Sequence, residues 1–487
     1  RITMKIKKIK LESNPFFGTC EFDFTNNQGQ IMDNIVLAGE NGCGKTQLLN
    51  IIYNFSTLPT QGDVTDERQT FTIVLSQAEL QQIDQSLDGR LKLVSPTGEL
   101  DIVLDFQSQP GYWSRLKVNY QSVSEDGNIE TKNIDSSHLF SRAPVKSIFK
   151  SIFSTVEINY SPKPTSNVTA KEIDEEVSTS VRSGNDLASE IQQLLIDIQD
   201  NDAHELQAWV NTHIGMAPPE TVRSRRINRF KNAFSQVFDN LNVSRIVTED
   251  GKKKVYFNKN NTDVDIAFLS SGEKQIVFRG AFLLRNQQST KGSVVLIDEP
   301  EISLHPTWQI KIYDYYRKLF TETDTTQTSQ IFFATHSQYV LRSALENRAS
   351  TLIVLLQHTG TNVNVKRITA PLVLPTVTSA ELNYVAFDIV SNDYHIELYG
   401  HLQNKIALSR GIPECSVKAC DTYITNQPDY DATKHHKPSS HTTTHGTITY
   451  DTLSTYIRNA IDHPAPTRTF TQQELRNSIE LLIKLCR

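Results

Sequence analysis

The 487-residue chain is long enough for two or three domains, and its 38% hydrophobic content is ordinary for a globular protein. Its 49 basic and 55 acidic residues give a net charge of −6, which argues against non-specific coating of nucleic acid but allows a local basic patch. No apolar run approaches the ~18 residues of a membrane helix. The five cysteines lack the paired spacing of a disulfide framework, so we expect a cytoplasmic protein without a membrane partner.

The chain begins with three predicted β-strands, over residues 5–11, 20–24 and 35–38. Four lysines and two isoleucines make up residues 5–10, a composition typical of an exposed edge strand that resists pairing with other sheets. Contact of these lysines with nucleic acid is the alternative interpretation. The third strand is wholly apolar, as expected of a strand that is buried on both faces.

A glycine-rich loop follows the third strand, and a helical pattern of apolar residues follows the loop. Residues 39–46 read Gly-Glu-Asn-Gly-Cys-Gly-Lys-Thr. Glycine lets the backbone wrap closely and point N–H groups inward, and the helix N-terminus adds partial positive charge, so this pattern predicts a nucleoside triphosphate site. Lys45 would reach the β- and γ-phosphates, and the Thr46 hydroxyl would bind Mg²⁺. The predicted nucleotide-binding residues of the loop are Asn41, Gly42, Cys43, Gly44, Lys45 and Thr46.

Short β runs separated by turn residues dominate the next part of the chain. They predict an antiparallel sheet, followed by one further strand over residues 153–160. The predicted strands of the sheet cover residues 70–75, 91–94, 100–106 and 116–120.

A helical insertion is predicted over residues 165–241, where apolar residues recur at helical spacing. Its second helical segment carries a basic cluster. This cluster fits contact with DNA or RNA phosphates, a solvated surface, or a contact between subunits, and these interpretations stay open. The members of the cluster are Arg223, Arg225, Arg226, Arg229 and Lys231.

A second apolar strand, residues 294–298, ends in Asp298 and is followed by Glu299. We expect Asp298 to hold Mg²⁺ and Glu299 to orient the water that attacks the γ-phosphate, because metal binding and positioning carry most of the catalysis of phosphoryl transfer. About one helix earlier, residues 269–275 read Leu-Ser-Ser-Gly-Glu-Lys-Gln. A hydroxyl and a glycine at a helix start can bind the γ-phosphate of a nucleotide held by a second copy of the chain.

In this order the motifs resemble those of the ATP-binding-cassette superfamily, from residue 4 to about residue 370. Ser271 replaces the first glycine of the superfamily signature, a departure that is common in the soluble, structural-maintenance-like branch. The resemblance implies ATP and Mg²⁺ as cofactors and a homodimer or higher oligomer that sandwiches two ATP molecules. Ser270 and Gly272 would complete the site of the partner copy. His336 would contact the γ-phosphate, and residues 303–306 would couple the two sites.

The same resemblance implies an α/β fold: an ATP-binding-cassette nucleotide-binding domain with a mixed or parallel sheet and an antiparallel β subdomain. The two halves of this domain would cover residues 4–164 and 242–374, separated by the helical insertion. A small, mostly helical interaction module would follow over residues 375–487. Within it, residues 421–447 are predicted to form a loop and residues 450–463 a helix.

Residues 298–309 narrow the resemblance, because Asp-Glu-Pro-Glu-Ile-Ser-Leu-His-Pro-Thr-Trp-Gln is similar to the form found in RecF, OLD and anti-phage ATPases. OLD-type nucleases continue into a Toprim domain, which needs a strand ending in a metal-binding acid, and residues 352–358 lack one. The chain looks most like the ATPase subunit of Septu-type or retron-linked anti-phage systems (PtuA). That resemblance implies a separate HNH nuclease partner (PtuB). Retron linkage would add a reverse transcriptase with its RNA and DNA.

Two side-chain patterns in the C-terminal module suggest other chemistry. Arg458 and His463 fit the R-x(4)-H pattern of HEPN ribonucleases, in which arginine stabilises phosphate charge and histidine acts as acid or base. A helix that ends in Asp-His-Pro is also an ordinary structural feature. A second set suggests a metal cluster by composition, although its spacing matches no zinc template: Cys415, Cys420, His435, His436, His441 and His445.

The sequence therefore predicts an ATP-binding and hydrolysing switch subunit of an anti-phage complex, which controls a nuclease on a partner chain. Two alternatives stay open. One is an ATP-gated ribonuclease that acts through its own C-terminal module, and the other is a RecF-like DNA-repair ATPase. RNA cleavage by the isolated chain would favour the first alternative, and stimulation of its ATPase activity by duplex DNA would favour the second.

Overall fold

The structure is a computed structural model, and it divides the chain into two compact units, Arg1–Arg367 and Ile368–Arg487. The second unit begins seven residues before the predicted module boundary at residue 375. The structure describes residues 4–57, 65–86, 89, 98–106, 116–124, 126–135, 142–156, 161–169, 180–184, 186–223, 225–235, 237–238, 241–285, 291–321, 326–359, 362–369, 371–443 and 446–487.

The first unit contains sixteen of the described strands and the first nine described α-helices. Its strands are β1 (Lys5–Asn14), β2 (Gly18–Asp23), β3 (Asn34–Ala38), β4 (Arg68–Val74), β5 (Glu99–Asp105), β6 (Leu116–Val123), β7 (Ile129–Asp135), β8 (Ser151–Ser154), β9 (Val181–Arg182), β10 (Leu241–Glu249), β11 (Lys252–Lys259), β12 (Thr262–Asp265), β13 (Val294–Asp298), β14 (Gln330–Thr335), β15 (Thr351–Thr359) and β16 (Asn362–Arg367). Its helices are α1 (Lys45–Ser56), α2 (Gln77–Ser86), α3 (Ala143–Lys146), α4 (Leu187–Thr212), α5 (Glu220–Arg223), α6 (Arg225–Phe234), α7 (Ser271–Arg285), α8 (Pro306–Leu319) and α9 (Gln338–Glu346).

A seven-stranded mixed sheet forms the centre of the first unit, in the order β16-β15-β3-β14-β13-β8-β9. Strands β3, β13 and β14 are buried along their whole length and pair in parallel, with Ala38 opposite Thr335 and Ala334 opposite Asp298. Parallel strands end at the same edge of a sheet, so the residues that follow these three strands meet there. The predicted α/β class with a mixed sheet is confirmed.

A six-stranded antiparallel sheet, β2-β1-β4-β5-β6-β7, provides the predicted antiparallel part of the fold. The predicted strand over residues 91–94 lies outside the described residues. The expectation of an exposed edge was wrong for β1, which pairs with β2 on one side and β4 on the other. Ile6 and Ile9 are buried, while Lys5 and Lys7 form ion pairs with Asp33 and Glu99. The lysines therefore neutralise acids within this unit.

The region predicted as a helical insertion contains α4 and the shorter helices α5 and α6, followed by the three-stranded sheet β10-β11-β12. In its basic cluster, Arg226 bonds Asp202 and Glu205 on α4, at 3.3 and 2.7 Å. The side chain of Arg225 lies outside the described residues. At least one member of this basic cluster thus holds two helices of the insertion together.

The second unit has a core of its own, built from apolar side chains of its helices. Its predicted loop over residues 421–447 was wrong in part, because a β-hairpin occupies much of this segment. The predicted helix over 450–463 begins only at Leu453, where the side chain of Thr452 caps it. The elements are α10 (Ser379–Phe387), α11 (Asn392–Arg410), α12 (Val417–Thr425), α13 (Ala432–His435), β17 (His436–Thr443), β18 (Gly446–Thr452), α14 (Leu453–Asp462) and α15 (Gln472–Cys486).

Candidate nucleotide-binding and hydrolysis site

The glycine-rich loop lies between β3 and α1, and two of its glycines are required by the local geometry. Gly39 has φ 149°, and a Cβ there would collide with the carbonyl oxygen of Leu356. Gly44 has φ 96°, and a Cβ there would collide with the ring of Phe17. Because L side chains rarely adopt these positive φ values, only glycine allows this tight strand-to-helix turn.

Lys45 is 4% exposed at the start of α1. Its Nζ donates hydrogen bonds of 2.8 Å to the carbonyl oxygens of Gly39 and Glu40, and it lies 3.2 Å from Nδ1 of His336. Burial lowers the pKa of the Lys45 ammonium. A cation next to the N-terminus of a helix favours an anionic ligand, and a phosphate group has the matching charge and acceptors.

The other loop residues divide into a buried and an exposed group. Cys43 is buried, with its Sγ 3.5 Å from Lys45 Nζ. Asn41 and Gly42 are exposed, and the imidazole of His358 lies 3.0 Å from the carbonyl oxygen of Gly42. The exposed backbone at Gly42 leaves the outer side of the loop accessible.

Thr46 and Asp298 meet across the ends of α1 and β13. The Thr46 hydroxyl lies 3.1 and 3.0 Å from the two carboxylate oxygens of Asp298, which is 4% exposed. Burial, and then the nearby Glu299 charge, raise the pKa of Asp298 in spite of the Thr46 hydrogen bond. Hydroxyl and carboxylate oxygens are the hard ligands that Mg²⁺ prefers, and a bound cation would offset the cost of burying this carboxylate. The residues therefore fit a magnesium ion.

Glu299 follows Asp298 with φ 42° and faces His336 at the end of β14. His336 Nε2 lies 3.3 Å from Glu299 Oε1. This hydrogen bond lowers the pKa of the Glu299 carboxyl, against the opposing effect of burial. Glu299 thus has the properties of an ionised, partly exposed acceptor that can orient a water molecule.

Glu301 positions His336, a role that the sequence analysis missed. It is buried, and its Oε1 accepts hydrogen bonds from the backbone N–H of His336 at 2.7 Å and the Thr335 hydroxyl at 2.8 Å. Burial raises the pKa of Glu301. The available signal was a third acid, after Asp298 and Glu299, in a stretch that otherwise begins a loop.

Arg279 is the second residue that the sequence analysis missed. It is fully buried on α7, and its guanidinium donates to the hydroxyl and carbonyl oxygens of Ser154 at the end of β8. It also donates to the carbonyl oxygens of Asp298 at 2.6 Å and Glu299 at 3.0 Å. An arginine within the apolar run over residues 276–284 was the signal that could have revealed it.

The signature residues lie at the start of α7. Ser270 is exposed, and its hydroxyl and backbone N–H both bond the Glu273 carboxylate at 2.8 Å, as in a helix capping box. A Cβ at Gly272 would lie 2.8 Å from the carbonyl oxygen of Ser303. Among the described residues, these contacts of Ser270 and Gly272 are with Glu273 and Ser303, and not with the cluster around Lys45.

Comparison with known proteins places this chain in a family. The profile described as "AAA domain, putative AbiEii toxin, Type IV TA system" matches residues 35–342. The chain belongs to this family. The match begins at β3 and includes the glycine-rich loop, the signature and the acid strand, so the chain is an AAA-family ATPase with a nucleotide site.

Individual relatives of this AAA-family ATPase are distant. It is 23% identical to the "Retron Ec83 probable ATPase" of Escherichia coli over 418 residues, 69% of this chain and 71% of that protein. It is similar to an Smc head bound to the C-terminal winged-helix domain of ScpA, at 14% identity and a TM-score of 0.39, over 74% of this chain and 97% of that one. The Smc head of Pyrococcus furiosus with an extended coiled coil gives 12% identity and a TM-score of 0.40, over 75% and 96% of the two chains.

The structure also bears on membrane-spanning helices and on a metal cluster. In the described part of this AAA-family ATPase, no helix is long and apolar enough to cross a membrane. Its described residues also contain no group of three or more His, Cys, Asp or Glu side chains that could hold a metal ion. Cys420 packs into the apolar core of the second unit instead, and His445 lies outside the described residues. Among the described residues, the metal cluster that composition suggested, and that its spacing argued against, does not form.

Proposed function

We propose that this ATPase is a dimer-forming switch in which two chains enclose two ATP molecules. The observation that carries the proposal is the location of Ser270, which is exposed at the start of α7 and bonded to Glu273 rather than to the cluster around Lys45. Phe268, two residues earlier, is 81% exposed. An exposed aromatic side chain beside a phosphate-binding helix start fits a surface that a second copy covers.

Within each site, the proposed roles follow from the contacts. Lys45 and the loop N–H groups bind the β- and γ-phosphates, while Thr46 and Asp298 hold Mg²⁺. Glu299 orients the attacking water, and His336 contacts the γ-phosphate while its ring bonds Glu299. The bound Mg²⁺ supplies charge neutralisation for the transferring phosphoryl group.

The proposed biological role is anti-phage defence of the Septu or retron-linked kind, with an HNH nuclease as the partner chain. The support is the 23% identity to an ATPase whose name assigns it to a retron. A second support is the compact unit Ile368–Arg487, which has its own core and can serve partner docking. Retron linkage extends the proposed partners to a reverse transcriptase and its RNA and DNA.

The dimer proposal is tested by measuring molar mass in solution with Glu299→Gln, a variant that should bind ATP without turning it over. We expect a monomer without nucleotide and a dimer with ATP and Mg²⁺. Phe268→Ser in the same background should weaken the dimer, while Ile310→Ser, at a side chain that is 44% exposed on α8, is the matched control. A monomer at all ATP concentrations would refute the proposal.

The partner proposal is tested by identifying the genes next to the one for this chain and, where an HNH protein is encoded there, by co-purification with it. The full-length chain should retain the HNH protein, and a chain ending at Arg367 should lose it while still binding ATP. Nuclease activity should require both proteins. Retention by the shortened chain would exclude the second unit as the docking site.

A further inference from the structure

A cavity of about 110 Å³ lies in the second unit, between the hairpin β17–β18 and helix α14. It is large enough for several water molecules or one phosphate group. All of its lining residues belong to the second unit. Its lining residues include Ser439, His441, Tyr450, Tyr456, Arg458 and Arg468.

The charged side chains among the described lining residues are both arginines. Arg458 is held by Asp462, at 2.8 Å, and by the side-chain oxygen of Asn459, at 3.0 Å. Arg468 donates a hydrogen bond of 3.2 Å to the carbonyl oxygen of His463. Its positive charge therefore offsets the partial negative charge at the C-terminal end of α14. A guanidinium has five N–H donors, and these contacts engage only part of each set. The cavity thus has two fixed cationic groups with donors to spare.

Two imidazoles and a hydroxyl group complete the wall. The rings of His441 and His463, both lining residues, stack at a centroid distance of 6.5 Å and an angle of 6°. The Ser439 hydroxyl oxygen is inaccessible to solvent and has no hydrogen-bond partner among the described residues. Because a water-sized probe cannot reach this oxygen, a ligand in the cavity would bond the two imidazoles instead, whose ring nitrogens can donate or accept hydrogen bonds.

Two tyrosines give the cavity aromatic edges. Lys418 Nζ lies 5.9 Å from the ring centroid of Tyr450, and Lys437 Nζ lies 4.4 Å from that of Tyr456. Tyr450 is 8% exposed, so its ring is part of the wall, while Tyr456 is partly exposed. The two arginines therefore determine the chemistry of the ligand, which is that of an anion.

We propose that this cavity binds a phosphate group carried by a nucleotide or by a single-stranded nucleic acid. Arg458 and Arg468 contact the phosphate, and Tyr456, a partly exposed lining residue, lies beside the group that carries it. Arg458 and His463, which form the R-x(4)-H pattern of the sequence, both line this cavity. The proposal makes the site a binding site, and it does not depend on the proposed switch function of the first unit.

The test measures binding of the full-length chain to labelled ten-nucleotide RNA and DNA strands and to labelled AMP. The chain carries Lys45→Ala so that the loop of the first unit does not contribute. We expect binding that Arg458→Gln with Arg468→Gln weakens roughly tenfold or more. For a strand, the slope of log affinity against log salt should fall by about 0.7 for each phosphate that the variant no longer neutralises. Binding of AMP identifies a free nucleotide as the ligand source, and binding of the strands alone identifies nucleic acid.

The matched control is Arg410→Gln, because Arg410 is an exposed arginine of the same unit that does not line the cavity. It should leave binding unchanged. Equal thermal melts of the control and the double variant exclude misfolding as the cause of any weaker binding. The proposal is overturned if neither strand nor AMP binds, or if the double variant binds as well as the control. RNA cleavage that His463→Gln abolishes would support phosphate binding at the cavity and would add catalysis to it.

Discussion

The guanidinium of Arg279 donates a 2.6 Å hydrogen bond to the backbone carbonyl oxygen of Asp298, although the two residues belong to different elements, α7 and β13. Helix α7 begins with the signature, and β13 ends with the two acids of the hydrolysis site. The fully buried Arg279 thus connects two parts of the proposed mechanism. One is the start of α7, which is proposed to contact the ATP of the partner copy, and the other is the end of β13, where Asp298 and Glu299 lie. Movement of α7 would be transmitted directly to the backbone of Asp298 and Glu299.

We predict that Arg279→Lys keeps ATP affinity but lowers kcat roughly 10- to 100-fold, because small displacements of catalytic groups cost rate of this order. An ammonium cannot reproduce the planar fork that bonds several carbonyl oxygens at once. Binding is measured with a fluorescent ATP analogue and turnover by phosphate release. Arg285→Lys, on the same helix, is the control, since Arg285 is only partly buried and pairs with Glu190. An unchanged kcat for Arg279→Lys would show that the carbonyl contacts serve folding alone.

The second prediction separates binding from hydrolysis. Lys45→Ala should abolish nucleotide binding, because it removes the buried cation of the loop. Glu299→Gln should bind ATP normally while kcat falls by roughly 10²- to 10⁴-fold, since Thr46 and Asp298 remain. Glu40→Gln is the matched control: its side chain is exposed, and the backbone carbonyl that Lys45 contacts is retained. If Glu299→Gln hydrolysed ATP at the wild-type rate, another group would have to orient the water.

The elements that carry the site could be predicted because each has a local signal. The apolar runs of β3 and β13 predict buried strands, and the loop before Lys45 has a glycine pattern that few other structures need. Parallel pairing then brings Lys45 and Asp298 to one edge of the sheet. No such local signal shows what a single buried side chain contacts.

Strand pairing and side-chain contacts could not be predicted where they depend on segments that are distant in the sequence. The lysines of β1 look like those of an edge strand, but β4 pairs with its second side from about sixty residues away. The hairpin β17–β18 lies in a Thr- and His-rich segment without apolar alternation, so its pairing has little periodic signal. Ser154, one of the partners of Arg279, lies 125 residues away in the sequence, and the two meet only in the folded chain.

The third prediction concerns stability and pH. Burial raises the pKa of Asp298 above its ordinary value, so the folded protein binds this proton more tightly than the unfolded chain, and the ionised carboxylate opposes folding at neutral pH. Asp298→Asn should therefore raise the melting temperature of the nucleotide-free protein, by on the order of 2 °C. The gain should shrink as the pH falls towards the raised pKa of Asp298, because the wild-type carboxyl then takes up its proton.

The measurement is a thermal melt of both proteins at several pH values, together with ATPase assays. Asp298→Asn should be more stable than the wild type and yet inactive in Mg²⁺-dependent hydrolysis. Glu40→Gln, at an exposed loop residue, should melt like the wild type at each pH. A lower melting temperature for Asp298→Asn at neutral pH would contradict the proposed cost of the buried charge.

The fourth prediction tests whether each ATP site is shared between two chains. Lys45→Ala damages the loop of one chain, and Ser270→Arg places a bulky cation at the signature of another. In a mixed dimer both lesions fall in the same composite site, because the loop of one chain faces the signature of its partner. The other site then has an intact loop and an intact signature.

Each variant alone should be nearly inactive, and an equal mixture should recover about a quarter of the wild-type ATPase activity: random pairing makes half of the dimers mixed, each with one of its two sites intact, provided that the sites act independently. The exposed position of Ser270 at the start of α7 makes the arginine tolerable for folding, which equal melts of the variant and the wild type would verify. Lys274→Ala, one turn further along α7, is the control that should not need complementation. A mixture no more active than its components, from chains that still dimerise, would show that each chain completes its own site.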